Sequence, residues 1–127
     1  MLDKQIELIK SDFHDSPDII FRKIKIGRKE VLLIYNTSVS KSDNINDFIL
    51  KRLTNFNKKL TRKNIHDHLE SELPENVIED VKDKNDLYTK INAGFTAIMF
   101  EKGYPFVVET RQDLYRGVSE PMTEQSI

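Results

Sequence analysis

The chain has 127 residues, with 20 Lys and Arg against 21 Asp and Glu, a formal net charge of −1. That balance excludes the broad positive field on which nucleic-acid binders rely. An apolar fraction of 38%, gathered in periodic clusters, excludes disorder and fits one domain or a piece of something larger, and the absence of Cys excludes disulfides, thiolate nucleophiles and thiolate zinc sites.

The N-terminal MLDKQIELIKSDFHD is charged and amphipathic, with no apolar h-region, so it does not read as a signal peptide. Leu2, Ile6, Ile9 and Phe13 form one apolar stripe that predicts a helix over 2–13, broken by Ser16-Pro17-Asp18. Residues 19–26 (IIFRKIKI) predict a strand, with Ile20, Ile24 and Ile26 on one face and Ile19, Phe21, Lys23 and Lys25 on the other. Gly27-Arg28-Lys29 supplies a turn, and 30–36 (EVLLIYN) returns as the hairpin partner. This second strand is apolar on both faces, which predicts a central position covered on both sides. Its Val31–Tyr35 run is the longest apolar run of the chain, far short of the ~20 residues a membrane helix needs.

Residues 42–56 predict the best amphipathic helix, with Ile45, Phe48, Ile49, Leu53 and Phe56 inward and Ser42 or Asp43 as the N-cap. A second helix follows over 61–72 on Ile65 and Leu69, stopped by Pro74. Val77-Ile78 begins a short strand, and Asp83 caps a helix over 84–92 that ends at Gly94. Residues 95–100 (FTAIMF) form another strand apolar on both faces, Lys102-Gly103 turns the chain, and 104–109 (YPFVVE) pairs back, with Pro105 at a strand start or edge. The fold class is α/β (α+β): a mixed sheet of about four or five strands built from two hairpins, with helices packed on its faces. Residues 1–110 form this unit, and 111–127, which lack periodicity, an extended tail.

Chemistry-bearing patterns are sparse. His66 and His68 sit two apart, so on a helix their rings diverge, and with Asp67 and Glu70 they read as a solvated face rather than a metal site. Ser38, Ser40 and Ser42 lack the glycines of a nucleophile elbow, and no glycine-rich phosphate loop is present. The chain therefore reads as a non-enzyme, with no cofactor implied. Lys51, Arg52, Lys58, Lys59, Arg62 and Lys63 form one local basic run, for which a solvated surface is the first reading. An anionic membrane surface is the second and a nucleic-acid or phosphate backbone the third.

The C-terminal stretch Arg116-Gly117-Val118-Ser119-Glu120-Pro121-Met122-Thr123-Glu124 resembles the Arg-Ser-(Val/Ile)-Glu-Glu-Pro-x-Thr-Glu segment of the GerA family of spore germination proteins, the A subunits of nutrient germinant receptors. Upstream segments agree in order and spacing. Ser16-Pro17-Asp18-Ile19-Ile20-Phe21-Arg22 resembles the family's Ser-x-Asp-(Leu/Ile)-(Val/Ile)-x-Arg strand, Ile49-Leu50-Lys51-Arg52-Leu53 its Ile-Leu-Lys-Pro-Leu helix, and Ala93-Gly94-Phe95-Thr96-Ala97-Ile98-Met99-Phe100 its Ser-Gly-x-(Thr/Ser) strand. Asn36-Thr37-Ser38 departs from the family's Ile-Asp-Gly after the tyrosine, and Gly117 and Ser119 depart from the tail motif.

The resemblance implies a receptor subdomain, with the tail bridging to a second subdomain and membrane segments beyond it. It also implies B and C subunits and other A subunits as partners, and a place on the cytoplasmic side of the spore inner membrane. Arg116, Glu120, Pro121, Thr123 and Glu124 are then the expected residues of a subdomain boundary, where charged contacts and a stiff proline fix the crossing. The alternatives are a small-ligand module, for instance in a cleft toward a second subdomain, and a phosphate or nucleic-acid binder acting through residues 51–63.

Overall fold

The computed structural model describes residues 2–54, 56–74, 77–101 and 104–111. Helix α1 spans Leu2–Asp12. It ends before the proline, because His14 and Asp15 take left-handed backbone at φ 56° and 55°. The His14 N–H returns to the Ser11 carbonyl at 3.0 Å and the Asp15 N–H to Lys10 at 2.8 Å, which satisfies carbonyls of the last turn. Strands β1 (Ile19–Ile26) and β2 (Lys29–Asn36) follow. They pair from Ile19↔Asn36 to Ile26↔Lys29, and only Gly27 and Arg28 turn the chain. Gly27 has φ 66°, the positive value a two-residue hairpin turn requires.

Helix α2 begins as Ser42–Ile45, widens into a π-helical turn at Asn46–Leu50 and closes as Lys51–Thr54. Neither Ser42 nor Asp43 caps it, contrary to expectation. Lys41 occupies the cap position without a side-chain bond, and its N–H is spent on the Thr110 carbonyl at 2.9 Å. Helix α3 (Arg62–Glu72) is capped by Thr61, which accepts the Asn64 N–H. Strand β3 is Ile78–Asp80, and helix α4 (Lys84–Asn92) is capped by Asp83, as its sequence predicts, through the Asp86 N–H. Strands β4 (Phe95–Met99) and β5 (Phe106–Glu109) are the last elements among the described residues, with Pro105 just ahead of β5. The expected turn at Lys102-Gly103 lies outside the described residues.

The five strands form one sheet in the order β1-β2-β4-β5-β3. Where a mixed sheet was expected, every pairing is antiparallel. The reason is positional. The chain leaves β2 near Ser40 and, after α2, α3, the edge strand β3 and α4, enters β4 from Gly94 beside that same residue, so β4 must run back along β2.

The helices cover both faces. On one, α2 and α3 set Ile45, Ile49, Leu53, Ile65 and Leu69 against Val31, Leu33, Ile98, Phe106 and Val108. On the other, α1 and α4 set Leu2, Ile9, Leu87 and Ile91 against Leu32, Ile34, Ala97, Met99 and Val107. β2 and β4 feed both cores with alternate side chains, which is why they are apolar without alternation. α1 is tied to α4 at the rim. Tyr88 donates to Asp12 at 2.6 Å and Lys84 pairs with the same carboxylate at 3.1 Å. The Tyr88 bond, then Lys84, hold the Asp12 carboxyl below the usual carboxylate range. Burial, then Asp12, push the Tyr88 phenol upward.

Candidate functional site

Four polar side chains are buried among the described residues: Ser40, Asn44, Thr96 and Thr110. They converge where the chain leaves the sheet. The Gly94 carbonyl accepts from the Ser40 hydroxyl at 2.8 Å, the Thr110 hydroxyl at 2.9 Å and the Thr110 N–H at 3.1 Å. Thr96 Oγ1 lies 2.8 Å from Thr110 Oγ1, and Ser40 Oγ 3.0 Å from it. With one proton per hydroxyl, a consistent arrangement has Thr96 donating to Thr110 while Thr110 and Ser40 donate to Gly94. Asn44 of α2 reaches over to donate to the Arg111 carbonyl at 2.7 Å, and Ser40 bridges Arg111 in antiparallel fashion. Arg111 pairs with Glu109 and sets its guanidinium 5.4 Å from the centre of the Phe95 ring.

The result is a clasp on residues 110–111, closed from three sides: the loop after β2, the first turn of α2 and the start of β4. Gly94 is its hinge point. Its φ is 108°, and a Cβ there would lie 2.2 Å from Arg111 Cγ, 3.1 Å from the Val39 carbonyl and 3.2 Å from Arg111 Cα. The helix-terminating role expected of Gly94 is met, since its N–H returns to Ile91 at 3.2 Å. The closer constraint is the approach of Arg111, which nothing near Gly94 in the sequence announces.

The basic run is dispersed. Lys51 pairs with Asp47 at 3.1 Å, Arg52 with Glu72 at 3.2 Å, Arg62 with Asp80 at 2.8 Å and Lys63 with Asp67 at 2.8 Å. Arg62 also donates to the Tyr104 carbonyl at 2.6 Å and lies over the Phe106 ring. Lys58 and Lys59 remain exposed and make no ion pair among the described residues. Such surface pairs contribute little stability, but they cancel most of the local field a phosphate backbone would need.

The two histidines diverge as their spacing requires. His66 stands edge-on to Phe106, and His68 meets the Arg52 carbonyl at 2.9 Å and packs on Phe56. His66, Asp67 and Glu70 bring one ligand atom each within 4.8 Å of one another. Asp67 is already engaged there: the Lys63 bond, then His66, hold its carboxyl below the usual range. Arg116, Glu120, Pro121, Thr123 and Glu124 lie outside the described residues, which stop at Arg111 just upstream of that motif.

The model of the family described as Bacillus/Clostridium GerA spore germination protein matches residues 7–127. The chain belongs to the GerA family. No curated protein matches it. Among solved structures, the N-terminal domain of the A subunit of the Bacillus megaterium spore germinant receptor GerK3 has the same fold, with a TM-score of 0.68 at 20% identity. The match covers 87% of this chain and 46% of that one, so the GerA chain described here spans less than half of that domain. The family is described by a role in spore germination and not as a class of enzyme. Among the described residues of this GerA chain, no helix is long and apolar enough to cross a membrane. The clasp gives its Gly94-Phe95-Thr96 segment a physical meaning: the glycine admits Arg111, Phe95 carries the guanidinium, and Thr96 bonds Thr110.

Proposed function

We propose that this GerA-family chain is the first soluble unit of a germinant receptor A subunit. Residues 1–110 form a non-enzymatic body, and residues 111–127 lead from it to a second soluble unit. Its work is to pass a change of contacts between that second unit, the B and C subunits and other A subunits, on the cytoplasmic side of the spore inner membrane. Coupling of this kind needs a defined junction, since a loosely held exit would not carry a shift from one unit to the next. The observation that carries the reading is the clasp at Ser40, Asn44, Thr96 and Thr110, which fixes the chain immediately before the Arg116–Glu124 motif. Arg116, Glu120 and Glu124 then make charged contacts across the junction, Thr123 adds a hydroxyl, and Pro121 stiffens the crossing.

The reading is tested by Glu120→Ala in the full-length receptor in spores. Nutrient-triggered germination is expected to slow markedly while the urea midpoint of the isolated 127-residue chain stays at its parental value. Germination at the parental rate, with the receptor present at its normal level, would count against it.

A further inference from the structure

The end of the sheet opposite the clasp carries a cluster of unanswered positive charge. β2 runs from Lys29 at the hairpin tip to Asn36 near the clasp, about 23 Å at the usual strand rise. At the tip a groove of about 320 Å³ lies between the β1–β2 turn and the segment joining α2 to α3. Ile26, Phe56 and Leu60 give it an apolar floor that packs against the core beneath α2 and α3. Its charged lining is Arg28, Lys29 and Lys58, with no carboxylate among them, and Lys59 follows directly.

Two segments distant in sequence thus bring four exposed cations to one end of the fold, and none of the four makes an ion pair among the described residues. Lys51, Arg52, Arg62 and Lys63, the rest of the basic run, each have an acid. Acids appear in a neighbouring depression that Lys29 also borders, where Glu30 and Glu101 stand, and Glu30 faces Lys25 across the hairpin. The groove itself is left cationic.

We infer that the hairpin tip and the α2–α3 segment form a docking surface for an anionic membrane, with Arg28, Lys29, Lys58 and Lys59 set against the lipid head groups. Charge complementarity names an anionic occupant, and the form of the site favours a surface of many charges over one clasped ion. All four head groups stand in solvent on flexible stems that no partner fixes, so each adds its own attraction to a charged plane. Between them Ile26 and Leu60 are half-buried, and their apolar edges suit the zone just below the head groups. The inference goes beyond the receptor role proposed above and does not depend on it.

The test is co-sedimentation of the 127-residue chain with vesicles of phosphatidylglycerol and phosphatidylcholine in equal parts, beside vesicles of phosphatidylcholine alone. Binding to the anionic vesicles is expected at low salt, on the order of millimolar lipid, with none to the neutral ones and a steep loss as salt rises. Each cation removed should weaken it about fivefold, so Lys58→Gln with Lys59→Gln, and equally Arg28→Gln with Lys29→Gln, should lose about 25-fold. Lys4→Gln with Arg22→Gln removes the same charge away from the groove and should bind nearly as the parent does. An unchanged urea midpoint shows that each variant is folded. Equal binding to neutral vesicles, or equal losses in all three double variants, would overturn the inference. So would saturable NMR shifts at Arg28 and Lys58 with inorganic tripolyphosphate while the anionic vesicles stay unbound, because the groove would then serve a soluble anion.

Discussion

Gly94→Ala is expected to destabilise the chain by about 3 kcal/mol, read as a fall in the urea midpoint at unchanged slope. Two costs combine. At φ 108° an L side chain is in a sparsely allowed region, which alone costs on the order of 1–3 kcal/mol. The new Cβ would also stand 2.2 Å from Arg111 Cγ, so the arginine must move. Arg111→Ala removes that Cγ, together with the Glu109 pair and the contact on Phe95, and by itself should cost little because the side chain is half exposed. The double variant Gly94→Ala with Arg111→Ala should recover part of the loss. The part not recovered measures the backbone strain and the approaches to Val39 and to the Arg111 backbone. If Gly94→Ala is tolerated at parental stability, the close approach at the chain exit is absent.

Thr110→Val should cost about 2 kcal/mol. The side chain is fully buried, and removing its hydroxyl takes a donor from the Gly94 carbonyl and the partner from Thr96 Oγ1. An orphaned buried hydroxyl carries a desolvation penalty of roughly 1–3 kcal/mol, whereas replacing both partners by apolar groups of similar shape is often nearly neutral. Thr96→Val combined with Thr110→Val is therefore expected to lie closer to the parent than Thr110→Val alone. The Gly94 carbonyl keeps Ser40 Oγ and the Thr110 N–H in either variant. Equal losses for the single and double variants would mean that Thr96 and Thr110 are not coupled.

Much of the architecture was legible because it rests on local periodicity. β2 and β4 read as central from their two-sided apolar runs, and they feed both cores as that requires. The Asp83 cap and the Gly94 stop were legible for the same reason, since capping acts within one turn. The antiparallel sense of the whole sheet was not, because it depends on which end of β2 receives β4 after three helices. The π-helical turn at Asn46–Leu50 left no signal either: the 42–56 stripe reads the same for a regular helix.

The sites divide in the same way. The clasp draws Ser40, Asn44, Gly94, Thr96 and Thr110 from separate segments, and a lone serine or threonine in a loop or strand gives no sign of burial. Thr96 was its faint marker, the one polar residue inside FTAIMF. The basic run was visible as a run, but the Glu72 and Asp80 that answer Arg52 and Arg62 are 20 and 18 residues away. Charge read along the chain thus overstated the charge on the surface.

If the unit passes a change of contacts through its exit, as proposed, a firmly held exit matters for receptor action apart from its effect on folding. The most direct test measures nutrient-triggered germination, as the fall in optical density, of spores whose full-length receptor carries Thr96→Val and Thr110→Val together. The clasp then loses two of its three hydroxyls while the unit keeps most of its stability. Slower germination at a normal receptor level is the predicted result. Germination at the parental rate from a receptor confirmed to be folded and present would mean that the clasp serves folding alone.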